Sequence, residues 1–117
     1  MSELLLIARL RIHDGKLDEF RRVAARCMEL VRTKDTGTLE YVQYMNSDQT
    51  ECLVFERYRD SQAILEHRKN LADALAVIGQ ICSVSGEVCG TPSPELTEQL
   101  KGGPFQVYKP LEAKSDN

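Results

Sequence analysis

With 117 residues, 42% of them hydrophobic, the chain has room for one domain built around one core. Fifteen basic against eighteen acidic side chains leave a net charge of −3. No basic run or aromatic-interleaved patch is available to follow a phosphate backbone, so nucleic acid is excluded as the expected partner. The apolar run from Leu4 to Ala8 lacks a cationic flank and breaks at Arg9, too early for a signal sequence or membrane span, and the expectation is a cytoplasmic protein.

In chain order, Leu4, Leu6, Ala8, Leu10 and Ile12 alternate as one wholly apolar face, which predicts a strand buried on one side. Asp14-Gly15 is a turn. From Lys16, the residues Leu17, Phe20, Ala24, Cys27 and Val31 recur at spacings of three and four, an amphipathic helix ending near Thr33, with Gly37 supplying the break beyond it. Residues 38–46 and 51–58 are β-branched, aromatic and alternating around a polar loop, a predicted antiparallel hairpin. Asp60 or Ser61 caps a second helix whose inward stripe is Ile64, His67, Leu71, Ala74 or Leu75 and Ile78, running to about Gly79.

Residues 81–89 suit a fourth strand, and Ser93 with Pro94 opens a short helix that Gly102-Gly103-Pro104 ends. Phe105 to Lys109 reads as a fifth, short strand, followed by a polar tail. The order βαββαβ describes an α+β ferredoxin-like sandwich with a four-stranded antiparallel sheet and helices on one face. Residues 1–90 form that domain and 91–117 a C-terminal extension. Two helices leave the far face of the sheet open. Assigned to that face by alternation are Ile7, Arg9, Arg11, Glu40, Val42, Tyr44, Val54 and Glu56, and a second copy of the chain is the simplest cover for so large a part-apolar patch.

Three stretches resemble one family: the close of the first strand from His13 to Phe20, the step from Gly37 to Tyr41, and Phe55-Glu56-Arg57-Tyr58-Arg59-Asp60 followed by Ala63 and Glu66-His67. Over roughly residues 4–89 the sequence resembles the antibiotic biosynthesis monooxygenase group of the dimeric α+β barrel superfamily. The resemblance implies a homodimer with its two sheets face to face, the last segment, here Phe105 to Tyr108, crossing to the partner. It also implies chemistry on a quinol or polyphenolic small molecule with molecular oxygen and no cofactor. Other members of the group degrade haem, or have no known activity, so fold-level likeness leaves the reaction open.

Alternation and helical period place Tyr41, Phe55, Arg57 and His67 in one layer, and this is the expected site. An imidazole can accept a phenolic proton near neutral pH, the family pattern has a His after the corresponding helix start, and His67 is the candidate base, against the plainer reading of a helix-face histidine that caps a buried carbonyl or simply packs. Arg57 could hold an oxyanion, against the plainer reading of a surface arginine at a sheet end. Tyr41 could donate to a bound oxygen or simply pack in the core, while Phe55 and Leu71 are expected to line the substrate. Glu56 is read as structural, pairing across the dimer with Arg9 or Arg11, with a catalytic carboxylate as the lesser alternative, and Phe105 and Val107 join that interface. His13 is expected to be solvated in its turn. Cys27, Cys52, Cys82 and Cys89 lie at long spacings with no Cys-x-x-Cys pair, so no metal site is expected and the thiols should pack as small hydrophobes.

Three functions follow. One is a cofactor-independent monooxygenase. A second is a non-catalytic dimeric binding or structural module, which predicts that no cavity large enough for an aromatic ring is present. A third is haem degradation with His67 as axial ligand, from which the sequence departs by having no Trp and no Asn in its first strand.

Overall fold

The computed structural model describes residues 3–114. Strand β1 (Leu4–Ile12) is followed by helix α1 (Leu17–Lys34), the hairpin β2 (Thr38–Met45) and β3 (Glu51–Tyr58), helices α2 (Ser61–Asn70) and α3 (Ala72–Ile81), and strand β4 (Cys82–Cys89). A short helix α4 (Pro94–Leu100) and strand β5 (Phe105–Tyr108) complete it. The sheet runs in the order β2-β3-β1-β4-β5, antiparallel except for the parallel β4–β5 pair. This is the ferredoxin-like α+β fold with one strand more than the expected four.

The alternating apolar face of β1 dictates the rest. Leu4, Leu6, Ala8, Leu10 and Ile12 are all buried, and α1 lays Phe20, Val23, Cys27 and Leu30 over the same layer. Residues directly opposite one another in an antiparallel pair share a face, so whatever pairs with these five is buried with them. On β3 those partners are Tyr58, Glu56, Val54 and Cys52.

That register corrects the expected facing of β3. Phe55 and Arg57 pair with Ile7 and Leu5 and lie on the outer face, whereas Val54 and Glu56 lie on the inner one. The β3 sequence misleads because its outward set, Leu53 and Phe55, is as apolar as its inward set; only pairing with β1 decides between them. Tyr41, opposite Glu56, and Gln43, opposite Val54, face inward as β2 joins the same layer.

The expected second helix is two. Leu71, with φ −100°, separates α2 from α3, although its N–H still reaches His67 O at 3.0 Å and its carbonyl accepts from Leu75 N at 2.8 Å. Ile64, His67, Leu71, Ala74 and Ile78 point inward across the break, whereas Leu75 is exposed. At the start of α2, Asp60 accepts from Ala63 N at 2.9 Å. A side chain at buried Gly37 would sit 2.5 Å from Ala63 Cβ, so glycine there lets α2 press onto the segment that follows α1.

In the C-terminal extension, Ser93 caps α4 through Leu96 N, and Leu96 and Leu100 are buried in the common core. Strand β5 pairs with β4 of its own chain, turning Phe105 and Val107 toward the helix layer rather than outward toward a partner. At Gly86 an added Cβ would collide first with the Ile7 carbonyl oxygen and then with the Phe105 ring at 2.7 Å, so glycine there admits both. The missing side chain is the seat of that ring. No helix among the described residues is long and apolar enough to cross a membrane.

Candidate active site

Between the inner sheet face and the helices lies a cavity of about 570 Å³. Its walls are largely aliphatic, from Leu6, Ala8 and Leu10 on β1, Phe20 and Ala24 on α1, and Leu75 and Ile78 on α3, with Leu100 and Phe105 closing the C-terminal side. Tyr41, Gln43, Glu56, His67, Arg68 and Gln99 supply the polar groups of the lining. A mostly apolar hollow with a few convergent polar groups has the anatomy of a small-molecule site.

The convergent groups form a chain. His67, 4% exposed, directs Nδ1 at Asp35 Oδ2 at 2.7 Å and Nε2 toward Glu56 Oε1 at 3.8 Å. The Tyr58 hydroxyl donates to the same Glu56 oxygen. Asp35 also accepts from Asn70 Nδ2 at 2.9 Å and Thr38 Oγ1 at 2.7 Å. The rings of Tyr41 and Tyr58 flank the imidazole, with centroids 5.6 and 5.4 Å away. Among the described residues, no buried side-chain nitrogen or oxygen is without a partner.

Burial and hydrogen bonding push the two carboxyls apart. Burial lifts Glu56 to about 7, with the nearby imidazole and the Tyr58 hydroxyl acting only partly against it. Burial also works against charge on Asp35, but the hydrogen bonds from His67, Asn70 and Thr38 prevail and hold it below the usual carboxylate range. An ionised Asp35 accepts from Nδ1–H, which leaves Nε2 of a neutral ring as a lone-pair acceptor on the cavity side. Burial keeps the phenols of Tyr41 and Tyr58 protonated, with Glu56 the next cause in each, and Tyr41 is therefore a donor. Burial also raises the Cys27, Cys52 and Cys82 thiols to about 11, too far for ready thiolate chemistry.

Of the expected site residues, the structure brings His67 and Tyr41 together. Phe55 and Arg57 stand on the opposite side of the sheet, where Arg57 Nε meets Glu40 at 2.9 Å and Arg57 Nη1 meets Glu3 at 3.0 Å. Leu71 is fully buried in the packed core, and the cavity wall is formed instead by Leu75 and Ile78. Glu56 belongs to the site and not to the outer face. Arg9, which is on the outer face with Arg11, pairs with Glu87 at 2.6 Å. Phe105 lines the cavity and Val107 packs on the core beside it. His13 is exposed, near Ser83 Oγ at 3.3 Å. Among the described residues, no group of three or more His, Cys, Asp or Glu is placed to hold a metal ion.

Asp35, Asn70, Tyr58 and Arg68 escaped the sequence reading. Asn70 and Arg68 follow His67 by three residues and one, so helical period alone flags Asn70 as a neighbour on the His67 face. Asp35 lies beyond the end of α1 and has no periodic signal. The bonds that bring it over are Thr36 N and Oγ1 to Glu66 Oε1, both 3.0 Å, beside the Gly37–Ala63 contact.

Comparison with known proteins gives a consistent picture. The family model described as antibiotic biosynthesis monooxygenase matches residues 4–73. Among solved structures, MupZ from Pseudomonas fluorescens superposes with a TM-score of 0.77 at 23% identity, covering 98% of this chain and 95% of that one. Rv0793 from Mycobacterium tuberculosis gives 0.69 at 24% identity, over 97% and 100%. SnoaB from Streptomyces nogalater, a cofactor-independent oxygenase solved as its N63A mutant, gives 0.62 at 17% identity, over 75% and 91%. At these identities the likeness is one of fold. No curated protein matches the chain.

Proposed function

We propose that this chain, which belongs to the antibiotic biosynthesis monooxygenase family, is a monooxygenase that deprotonates a quinol or polyphenolic small molecule and lets the resulting anion react with molecular oxygen. The observation that carries this reading is the placement of Glu56 and His67 in the wall of an apolar cavity of about 570 Å³, with Asp35 bonded to the far side of the imidazole. The cavity also counts against a binding module with a filled or vestigial pocket.

His67 Nε2 takes the phenolic proton, and Asp35 holds the ring so that the lone pair faces the cavity. Tyr41, kept protonated by burial, donates to the phenolate oxygen. The electron-rich anion passes one electron to oxygen, and the radical pair closes a carbon–oxygen bond to give a peroxide anion, which takes the proton back from His67 to become a hydroperoxide on a ring carbon that still bears a hydrogen. His67 then removes that hydrogen as a proton while the O–O bond breaks, leaving a carbonyl and a hydroxide, and afterwards returns the proton to Glu56, so one oxygen atom enters the product and the other departs as water. Glu56, poised near neutrality, supplies the proton that the departing hydroxide needs. Aliphatic walls exclude bulk water from the intermediate. Haem degradation gains no support from the sequence, which has no Trp and no Asn in its first strand.

The protein is read as a homodimer. Ile7, Val42, Leu53, Phe55 and Tyr44 share the outer face of the sheet, and a second copy laid on it would bury them. Oxygen uptake with a panel of naphthoquinols and anthrones tests the activity. His67→Ala should lower turnover by at least about a hundredfold, the usual scale of a lost general base. Undiminished turnover in that variant would remove His67 from the reaction.

A further inference from the structure

We infer that the ligand of this cavity carries a carboxylate or equivalent anion at the end remote from its reacting hydroxyl, and that Arg68 is the group that receives it. The inference rests on reading the cavity as the substrate site. Its lining holds a single carboxylate, Glu56, and a single permanent cation, Arg68. Glu56 and His67 are buried among their own partners, while Arg68 is only half-buried, so the titratable pair marks the deep end and the guanidinium the shallower one.

Arg9, Arg26, Arg57 and Arg59 each meet a carboxylate within 4 Å, and Arg21 meets the Gln49 amide. Arg11, Arg22 and Arg32 meet no acid among the described residues, but they are exposed and none lines this cavity, whereas Arg68 is half-buried in its wall. Among the described residues, no hydrogen bond or ion pair engages the Arg68 guanidinium. It is nonetheless held beside an apolar space, in the last turn of α2, where the helix fixes its stem one residue from the proposed base. A planar fork with five donors and no acid to satisfy it is suited to a carboxylate arriving from outside. The flanking lining, Ala72, Leu75 and Gly79 on α3, offers no competing charge. The plainer role, an aliphatic stem covering the rim with its head in water, predicts no preference between charged and neutral ligands.

The experiment is a binding titration by calorimetry with 6-hydroxy-2-naphthoate, its methyl ester and 2-naphthol, against wild type, Arg68→Gln and Arg68→Lys. None of these ligands needs to be oxidised, so the outcome is independent of whether the protein is an oxygenase; failure of turnover with affinity for the anion retained would sink the proposed function and leave this inference standing. Wild type should bind the carboxylate about tenfold more tightly than the ester, as expected for a partly exposed charge-assisted contact. Raising salt should erode that preference. Arg68→Gln should bind the ester and 2-naphthol as wild type does and lose the preference, with Arg68→Lys recovering part of it. Equal affinity of wild type for acid and ester, a preference that survives Arg68→Gln, or absence of binding by all three ligands would overturn the inference.

Discussion

Glu56 and Arg57 are adjacent in sequence, yet they occupy different worlds. Glu56 is 6% exposed, bonded to Tyr58 and facing His67, with its carboxyl lifted to about 7. Arg57, one pleat away, lies across Glu40 and Glu3 at the margin of the outer face, where all three side chains keep contact with solvent. A strand thus converts one step in sequence into the full thickness of a sheet, and chemistry follows the face rather than the charge. The inner member is unstable as an ion and useful for moving protons. The outer member is permanently charged, screened and nearly indifferent to its surroundings.

The largest test of this contrast is Glu56→Gln. Burial raises the carboxyl from its ordinary 4.5 to about 7, so between those values the folded state retains a proton that the unfolded state has released. Stability therefore falls as pH rises through this window, by roughly 3 kcal/mol in total at about 1.4 kcal/mol per unit. Glutamine cannot ionise. The variant should be more stable than wild type by up to about 3 kcal/mol at pH 8, with the advantage disappearing near pH 4.5. Urea unfolding across that range measures it, and a difference that does not vary with pH would mean that Glu56 is not held in the protonated state.

Asp35→Asn probes the opposite sign. Although burial disfavours its charge, three hydrogen bonds hold its carboxyl below the ordinary 3.8. Its contribution is therefore present above that value and is lost as pH falls through the lower folded one. At pH 7 the substitution should destabilise by about 2 kcal/mol, the scale of hydrogen bonds to a buried charge. The gap between variant and wild type should close in acid. Turnover should fall as well, since His67 would lose the carboxylate charge that fixes its tautomer, and a pH–rate profile displaced in the variant separates this positioning role from a general loss of folded protein.

Periodicity made the layers legible and left the faces of one strand open. Strand β1 carries an unambiguous stripe, and the stripe of α2 and α3 placed His67 inward before any pairing was known. Strand β3 carries Leu53 and Phe55 on one side and Val54 and Tyr58 on the other, so hydrophobicity does not choose between them; the β1–β3 register does. The resulting error moved Arg57 into the site and Glu56 out of it. Asp35 was hidden for a different reason, since it reaches His67 across 32 residues of chain through a turn that has no period. The parallel seat of β5 was legible only in retrospect, in the glycine at position 86 that makes room for Phe105.

Arg57→Ala gives the smallest effect and the sharpest check on the face assignment. Its pairs with Glu40 and Glu3 are solvent-screened, so their loss should leave the melting temperature nearly unchanged. With the sheet between its guanidinium and the cavity, turnover should stay within about twofold of wild type, because no transition-state contact is removed. A similar result in Arg57→Gln would show that the charge itself is dispensable to the reaction. A hundredfold loss without a change in melting temperature would instead place the reacting atoms within reach of the outer face, and the division of β3 into a chemical side and a structural side would fail.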